Sequence, residues 1–172
     1  MSETEKHRDQ TVQYCTGNGV DIGSQNDPVV PWAISLDLPH DEYAHYTSGK
    51  APENSIQWRG DGRDLPFKDG RLDFVYSSHM LEDFLDWGPI LTEWTRVLKQ
   101  GGRLIIMVPD KLLWNAAIRN GQPPNCAHQH EAYVGELTWS VQDLKLPLKV
   151  LRDELTAKDP ADYNILFVAE KL

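Results

Sequence analysis

Cysteine is scarce in this chain: Cys15 and Cys126 are the only two among 172 residues. Two cysteines cannot staple a fold, and neither belongs to a paired metal-ligand spacing, so free thiols are expected and no metal site. Long apolar runs are missing as well, and nothing approaches the roughly 18 residues of a membrane span. The opening Met1-Ser2-Glu3-Thr4-Glu5-Lys6 is polar and has no signal-peptide core. The expected location is therefore cytoplasmic, with no membrane partner. Basic charge is in deficit, with 17 Lys and Arg against 26 Asp and Glu and a formal net charge of -9. That balance argues against a broad electrostatic grip on nucleic acid. A glycine-rich pyrophosphate loop is lacking too: after Gly23 the chain reads Ser24-Gln25-Asn26-Asp27-Pro28. An NAD-dependent oxidoreductase would need such a loop.

What the chain does contain is a series of short apolar runs punctuated by glycine and proline. Glu3 to Cys15 could form a short leading helix. Val20-Asp21-Ile22, between Gly19 and Gly23, predicts a first strand over Gly19 to Ile22. Ala33 to Leu38 predicts a second, ended by Pro39, and Ser55 to Arg59 a short third. Arg71 to Ser77 is a fourth. Leu81, Phe84, Leu85, Leu91, Trp94 and Leu98 recur at helical spacing, with the stronger helix from Pro89 to Lys99. Gly101-Gly102 ends it before the apolar strand Arg103 to Val108. Lys111 to Arg119 and Trp139 to Leu144 are further helix candidates, and Leu148 to Leu155 and Asn164 to Ala169 the last strands.

Strand, helix, double glycine and buried strand make a βαβ unit, which places the chain in the α/β class with a mostly parallel sheet. Residues 1–172 read as one domain, with 1–16 as an N-terminal extension. Such open sheets bind ligands outside the carboxyl ends of their strands. The positions of interest are then Gly23, Asp37, Asp61, Ser77 to His79 and Pro109-Asp110.

Those positions carry a pattern. Val20-Asp21-Ile22-Gly23, Ser35-Leu36-Asp37-Leu38 and Gly60-Asp61-Gly62-Arg63-Asp64-Leu65-Pro66-Phe67 resemble the first three motifs of the class I S-adenosylmethionine-dependent methyltransferases. Leu72 to Asp83 and Glu93 to Ile106 resemble the later ones, so the resemblance covers roughly Gly19 to Pro109. It implies a Rossmann-like seven-stranded sheet with helices on both faces and the last strand antiparallel. It also implies S-adenosyl-L-methionine along the carboxyl edge. Asp21 would help position the amino-acid end of that cofactor, and Gly23 and Ser24 would let the backbone approach it. Asp37 would accept from the ribose hydroxyls, beside Leu38; Asp61 would accept from the adenine amino group, with Gly62 keeping that wall thin. Ser77 and Ser78 would line the floor under the sulfur. Asp73 lies inside the fourth strand and reads as structural.

The first loop departs from the family pattern, since Gln25 and Asp27 stand where glycines are usual. Only Gly23 to Trp32 separate the first two strands, and they include Pro28 and Pro31. A parallel crossover ordinarily needs a dozen or more residues, so the first crossover helix is shortened or absent.

Methyl transfer needs alignment and, for a protic acceptor, a base. His79, just past the fourth strand, is the first candidate, and His130 in His128-Gln129-His130-Glu131 the second. The resemblance implies a substrate-cap region over about 110–147. The function these features imply is methyl transfer to an unidentified small-molecule or saccharide-like acceptor. The alternative is a catalytically degenerate protein of the same fold, serving as a cofactor-binding or protein-interaction module. A protein partner or a homodimer could complete the pocket.

Overall fold

The apolar runs become strands because each finds cover on both faces. The computed structural model describes residues 2–25, 27–38, 57–156 and 162–172. Strands β1 (Gly19–Ile22), β2 (Ile34–Asp37), β3 (Trp58–Arg59), β4 (Leu72–Ser78), β5 (Leu98–Pro109), β6 (Leu148–Leu155) and β7 (Asn164–Lys171) form one sheet. Its order is β3-β2-β1-β4-β5-β7-β6. The first five strands pair in parallel, and β7 runs antiparallel to both β5 and β6. This is the expected seven-stranded Rossmann-like sheet with its last strand reversed.

Helix α1 (Glu3–Thr11) precedes the sheet, α2 (Gly88–Val97) joins β4 to β5, and α3 (Lys111–Arg119) and α4 (Glu136–Asp143) lie between β5 and β6. One face of the sheet packs Val20, Ile22, Val75, Leu104 and Ile106 against Ile90, Leu91, Trp94 and Val97 of α2 and Leu137 and Val141 of α4. The opposite face packs Phe74, Tyr76, Ile105, Met107, Leu166 and Val168 against Cys15, Val29, Val30 and Ala33. Alternate residues along β4 and β5 thus feed two separate cores, as the period-two geometry of a strand requires. Among the described residues, no helix is long and apolar enough to cross a membrane.

Several boundaries differ from the sequence-based expectation, two of them through side chains distant in sequence. α2 stops at Val97 because Lys171 Nζ, from β7, donates to the carbonyls of Thr95 at 2.7 Å and Leu98 at 2.8 Å. α4 begins three residues before Trp139, where Asp153 of β6 accepts from the backbone N–H groups of Gly135 and Thr138. The helical spacing from Leu81 yields only a 3-10 turn over Leu81–Asp83. Of the third predicted strand, Trp58 and Arg59 pair with β2, while Ser55 and Ile56 lie outside the described residues.

The crossover from β1 to β2 contains no helix among its described residues. In place of helical hydrogen bonds, the link is held from below and from the side. Asp21, on the face of β1 opposite Val20 and Ile22, is 1% exposed and accepts from the Val29 N–H at 2.7 Å. Arg8 of α1 pairs with Asp27 and donates to the carbonyls of Pro28 and Val29. Burial of Val29, Val30 and Ala33 then seals the second core. Asp21 does this at an electrostatic cost: burial holds its carboxyl well above the ordinary range, against the opposing Val29 hydrogen bond. An acid whose folded pKa is raised stabilises the fold fully below the unfolded value of about 3.9, and loses that contribution as pH rises through the folded value.

Asp21→Asn keeps an acceptor for Val29 without the buried charge. Its stability relative to wild type should therefore improve from pH 4 to pH 8, by about 1 kcal/mol or more. Urea unfolding at the two pH values checks this. A difference that does not change with pH would contradict it.

Candidate functional site

A cleft of about 620 Å³ opens at the carboxyl ends of β1 to β4. That is within the usual range for small-molecule sites, roughly 300–1,000 Å³. The strand order fixes how it is furnished. Asp61 and Gly62 follow β3, Asp37 ends β2, Gly23 follows β1, and His79, Met80 and Asp83 follow β4.

Asp37 is 6% exposed and accepts two backbone bonds, from the Leu38 N–H at 2.9 Å and the Gln25 N–H at 3.0 Å. Burial raises its pKa, opposed by those two bonds and by the charge of Arg59. A carboxylate has about four lone-pair sites, so capacity for further donors is left facing the cleft. Asp61 is locked by Arg63, whose backbone N–H donates at 2.8 Å and whose Nε donates to both carboxylate oxygens at 2.9 Å. The guanidinium holds the Asp61 carboxyl below its ordinary value. Gly62 allows the close approach of Met80 and Ile22: a Cβ there would lie 2.7 Å from Met80 Cε and 2.9 Å from Ile22 Cγ2.

The loop that carries Asp61 is fastened from α2. Glu93 Oε1 accepts from the Leu65 N–H at 2.8 Å, and Arg96 Nη1 donates to the Phe67 carbonyl at 2.8 Å. Arg96 also pairs with Glu93 and Asp69. The buried Trp94 donates from Nε1 to the Gly62 carbonyl at 2.8 Å. Glu93, Trp94 and Arg96, ahead of the double glycine, thus each hold the backbone of the loop that carries Asp61.

Gly23 takes φ +77° and donates to the Leu36 carbonyl at 2.9 Å. Gln25 also sits in the left-handed region, at φ +48°. The glycine-like backbone path is therefore kept, with a side chain in strained conformation carrying it.

The cleft lining brings together Gly23, Asp37, Leu38, Asp61, Gly62 and His79 from the sequence-based set. The others stand outside that lining. Asp21 is turned to the second core, and Ser77 donates to the Ile22 carbonyl at 3.2 Å. Ser24 is 6% exposed beneath the loop, and Ser78 is half-buried at the end of β4. His130 stacks on Trp87 with centroids 4.0 Å apart and its Nε2 lies 2.7 Å from Glu136 Oε1. Asp73 accepts from Asn18 and Lys99, in keeping with a structural part.

His79 has both ring nitrogens engaged. Nε2 lies 2.7 Å from Asn164 Oδ1, and Nδ1 lies 3.3 Å from Glu82 Oε1. Burial pulls its pKa down, but Glu82, Glu3 and Asn164 outweigh burial and hold it above the ordinary value. Glu82 is fully buried, with His128 Nε2 at 3.7 Å on another side. Among the described residues, no group of three or more His, Cys, Asp or Glu could hold a metal ion.

The cleft also includes Gln25, Arg63, Met80, Asp83, Phe84, Asn125, Ala127 and Gln129. Sequence reasoning missed these as a group. Asp83 had a signal as a carboxyl soon after β4, and 125–129 lay within the expected cap. Met80 and Phe84 had none beyond being apolar.

Residues 32–106 match the methyltransferase-domain family. An S-adenosylmethionine-dependent methyltransferase of Thermotoga maritima, described as a possible histamine N-methyltransferase, superposes with a TM-score of 0.70. It is 18% identical, with 97% of this chain and 89% of that one covered. A methyltransferase of Haloferax volcanii, solved in complex with the Trm112 activator, gives a TM-score of 0.62 at 18% identity, covering 97% and 92%. The uncharacterised protein YafE of Escherichia coli K12 is 36% identical over 67 residues, which are 39% of this chain and 32% of YafE. The chain spans about a third or less of the curated relatives it matches, 28% and 32%. The sheet order and the edge cleft are those of a methyltransferase-type α/β fold. The match over residues 32–106 is to a methyltransferase domain, and the fold is the one shared by the S-adenosylmethionine-dependent methyltransferases that superpose on this chain.

Relief of the left-handed strain at Gln25 is measurable. Gln25→Gly should raise stability by about 0.5–1 kcal/mol, whereas Gln25→Val should lower it by about 1 kcal/mol or more. Urea unfolding of the two variants checks this, and equal stabilities would contradict the assigned backbone conformation.

Proposed function

We propose that the cleft binds S-adenosylmethionine and that the chain transfers its methyl group to a small-molecule or saccharide-like acceptor. The observation that carries this reading is the convergence of Gly23, Asp37, Leu38, Asp61 and Gly62, from three separate strand ends, on one cleft. When bound, the cofactor supplies a methyl group already activated by sulfonium charge. The protein's work is then positioning and exclusion of water.

In this reading Asp37 accepts from the ribose hydroxyls with the lone pairs left by Gln25 and Leu38. Asp61, oriented by Arg63, accepts from the adenine amino group, and Gly62 keeps that wall thin. Gly23 admits the backbone close to the ligand. Ser24, Ser77 and Ser78 support the wall and floor from behind, and Asp21 acts through the crossover that it anchors. Gln25 takes a second role, since its N–H orients Asp37. His79, with both ring nitrogens engaged, shapes the acceptor side as a positioning residue; proton abstraction by it would require release of Asn164 or Glu82. His130 would act only after leaving Glu136 and the Trp87 stack. The acceptor enters past Asn125, Ala127 and Gln129, within the cap of about 110–147. A protein partner or a second copy would complete the open side, as the activator accompanies the Haloferax neighbour.

A second reading, a degenerate binder or interaction module, draws on Gln25 in the glycine place and on the Asp61–Arg63 pair already formed. Calorimetry with S-adenosylmethionine separates the two. Saturable binding weakened about tenfold or more in Asp37→Ala is expected, the loss of hydrogen bonds to a buried charged acceptor. Absence of binding to the folded chain would overturn the proposal.

A further inference from the structure

The order of strands along the cleft gives it two chemically different ends. Asp61 and Asp37, past β3 and β2, form the end that the proposed function gives to the nucleoside. Continuing across β1 leads to the residues that follow β4: His79, Met80, Asp83 and Phe84. In S-adenosylmethionine the sulfonium follows the ribose, so a ligand placed by Asp61 and Asp37 carries its positive charge toward β4.

Among the described residues, Asp83 is the one carboxyl that lines the cleft at this end. It ends the 3-10 turn Leu81–Asp83, and its Oδ1 is buried with no hydrogen-bond partner. A buried carboxylate oxygen without a donor is costly and calls for a compensating charge. The surroundings supply little. Behind it on the same turn is Glu82, fully buried, whose own oxygens also lack hydrogen-bond partners. His79, past β4, is held above its ordinary pKa by Glu82, Glu3 and Asn164 against burial, and it faces Glu82 at 3.3 Å and Asn164 at 2.7 Å. From the loop after α3, His128 also faces Glu82, at 3.7 Å, and burial lowers its pKa. From α1, Glu3 adds another negative charge 3.9 Å from His79. Arg63 pairs with Asp61, and its guanidinium also lies 5.8 Å over the ring of Phe84, the residue that follows Asp83.

Resting on the cofactor reading above, we infer that Asp83 is the counter-charge for the sulfonium and the residue that distinguishes S-adenosylmethionine from the neutral thioether product, S-adenosylhomocysteine. The two ligands share adenine, ribose and amino-acid tail and differ only by a methyl group and its positive charge. Contacts at Asp37 and Asp61 cannot tell them apart, whereas a carboxylate beside the sulfur can. Burial, reinforced by the charge of Glu82 and opposed by His79, pushes the Asp83 carboxyl up to about 7. The sign follows directly. A cation binds the ionised form better, so preference for the sulfonium ligand is full above pH 7 and is lost as pH falls below it.

The test is calorimetry with S-adenosylmethionine and with S-adenosylhomocysteine on the full chain between pH 5.5 and 8.5, for wild type and Asp83→Asn. Both proteins meet the same ligand ionisations, so ligand titration cancels between them. The wild type should favour S-adenosylmethionine increasingly as pH rises to about 7. The variant should lose about tenfold of that preference at pH 8 and show a flat ratio, with S-adenosylhomocysteine affinity retained as proof of a folded cleft. A pH-dependent ratio that persists in Asp83→Asn would overturn the assignment and give the effect to the His79–Glu82–His128 cluster. A wild-type ratio independent of pH would overturn it as well. Failure of both ligands to bind wild type would instead sink the cofactor reading beneath it.

Discussion

The link from β1 to β2, with no helix among its described residues, must cross one face of a parallel sheet, and the geometry of the candidate site depends on how its backbone is satisfied. Asp21 takes the Val29 N–H from inside, and Arg8 of α1 takes the Pro28 and Val29 carbonyls from outside. Those anchors let Val29, Val30 and Ala33 close the second core while the preceding turn, Gly23 to Gln25, stays at the cleft. The Gln25 N–H then reaches Asp37. One buried carboxylate thus connects the second core to the orientation of another at the cleft. The N-terminal extension is part of this arrangement, because α1 supplies Arg8.

A second set of bonds holds the opposite wall. Glu93, Trp94 and Arg96 project from one helix onto the segment from Gly62 to Asp69 and take up its backbone N–H and C=O groups. A loop that crosses the surface after a two-residue strand has few ladder bonds of its own, so these side chains do the work that strand pairing does elsewhere. The helix is itself capped by Lys171 from β7. The Asp61 wall is in this way tied to the last strand of the sheet.

Much of the fold was legible because its signals are local. Apolar runs bounded by glycine and proline located β1 and β4 nearly to the residue, whereas β5 was found only from Arg103, five residues after its start at Leu98, because Gly101-Gly102 reads as a turn; the short interval containing Pro28 and Pro31 agrees with a crossover whose described residues hold no helix. Cleft residues were legible only where a residue type marks a strand end, as at Asp37, Asp61 and Gly23. The direction of Asp21 was not, because a residue within a strand can face either side of the sheet and Val29 is its partner only in three dimensions. The Asp153 cap that moves the start of α4 to Glu136 is equally non-local. Nor could sequence show that both nitrogens of His79 are engaged, since Asn164 lies 85 positions away. His130 looked available from its motif, and its stack on Trp87 depends on how the segment between β5 and β6 packs beside the start of α2.

The central claim is that one cleft along the carboxyl edge, oriented through Asp37 and Asp61, receives S-adenosylmethionine. Amide hydrogen exchange with and without saturating S-adenosylmethionine tests it most directly. The account predicts slowed exchange concentrated at Gly23 to Gln25, Leu38 and Gly62 to Arg63, with α3 and β6 unchanged. Protection centred away from those segments, or no change at all, would contradict it.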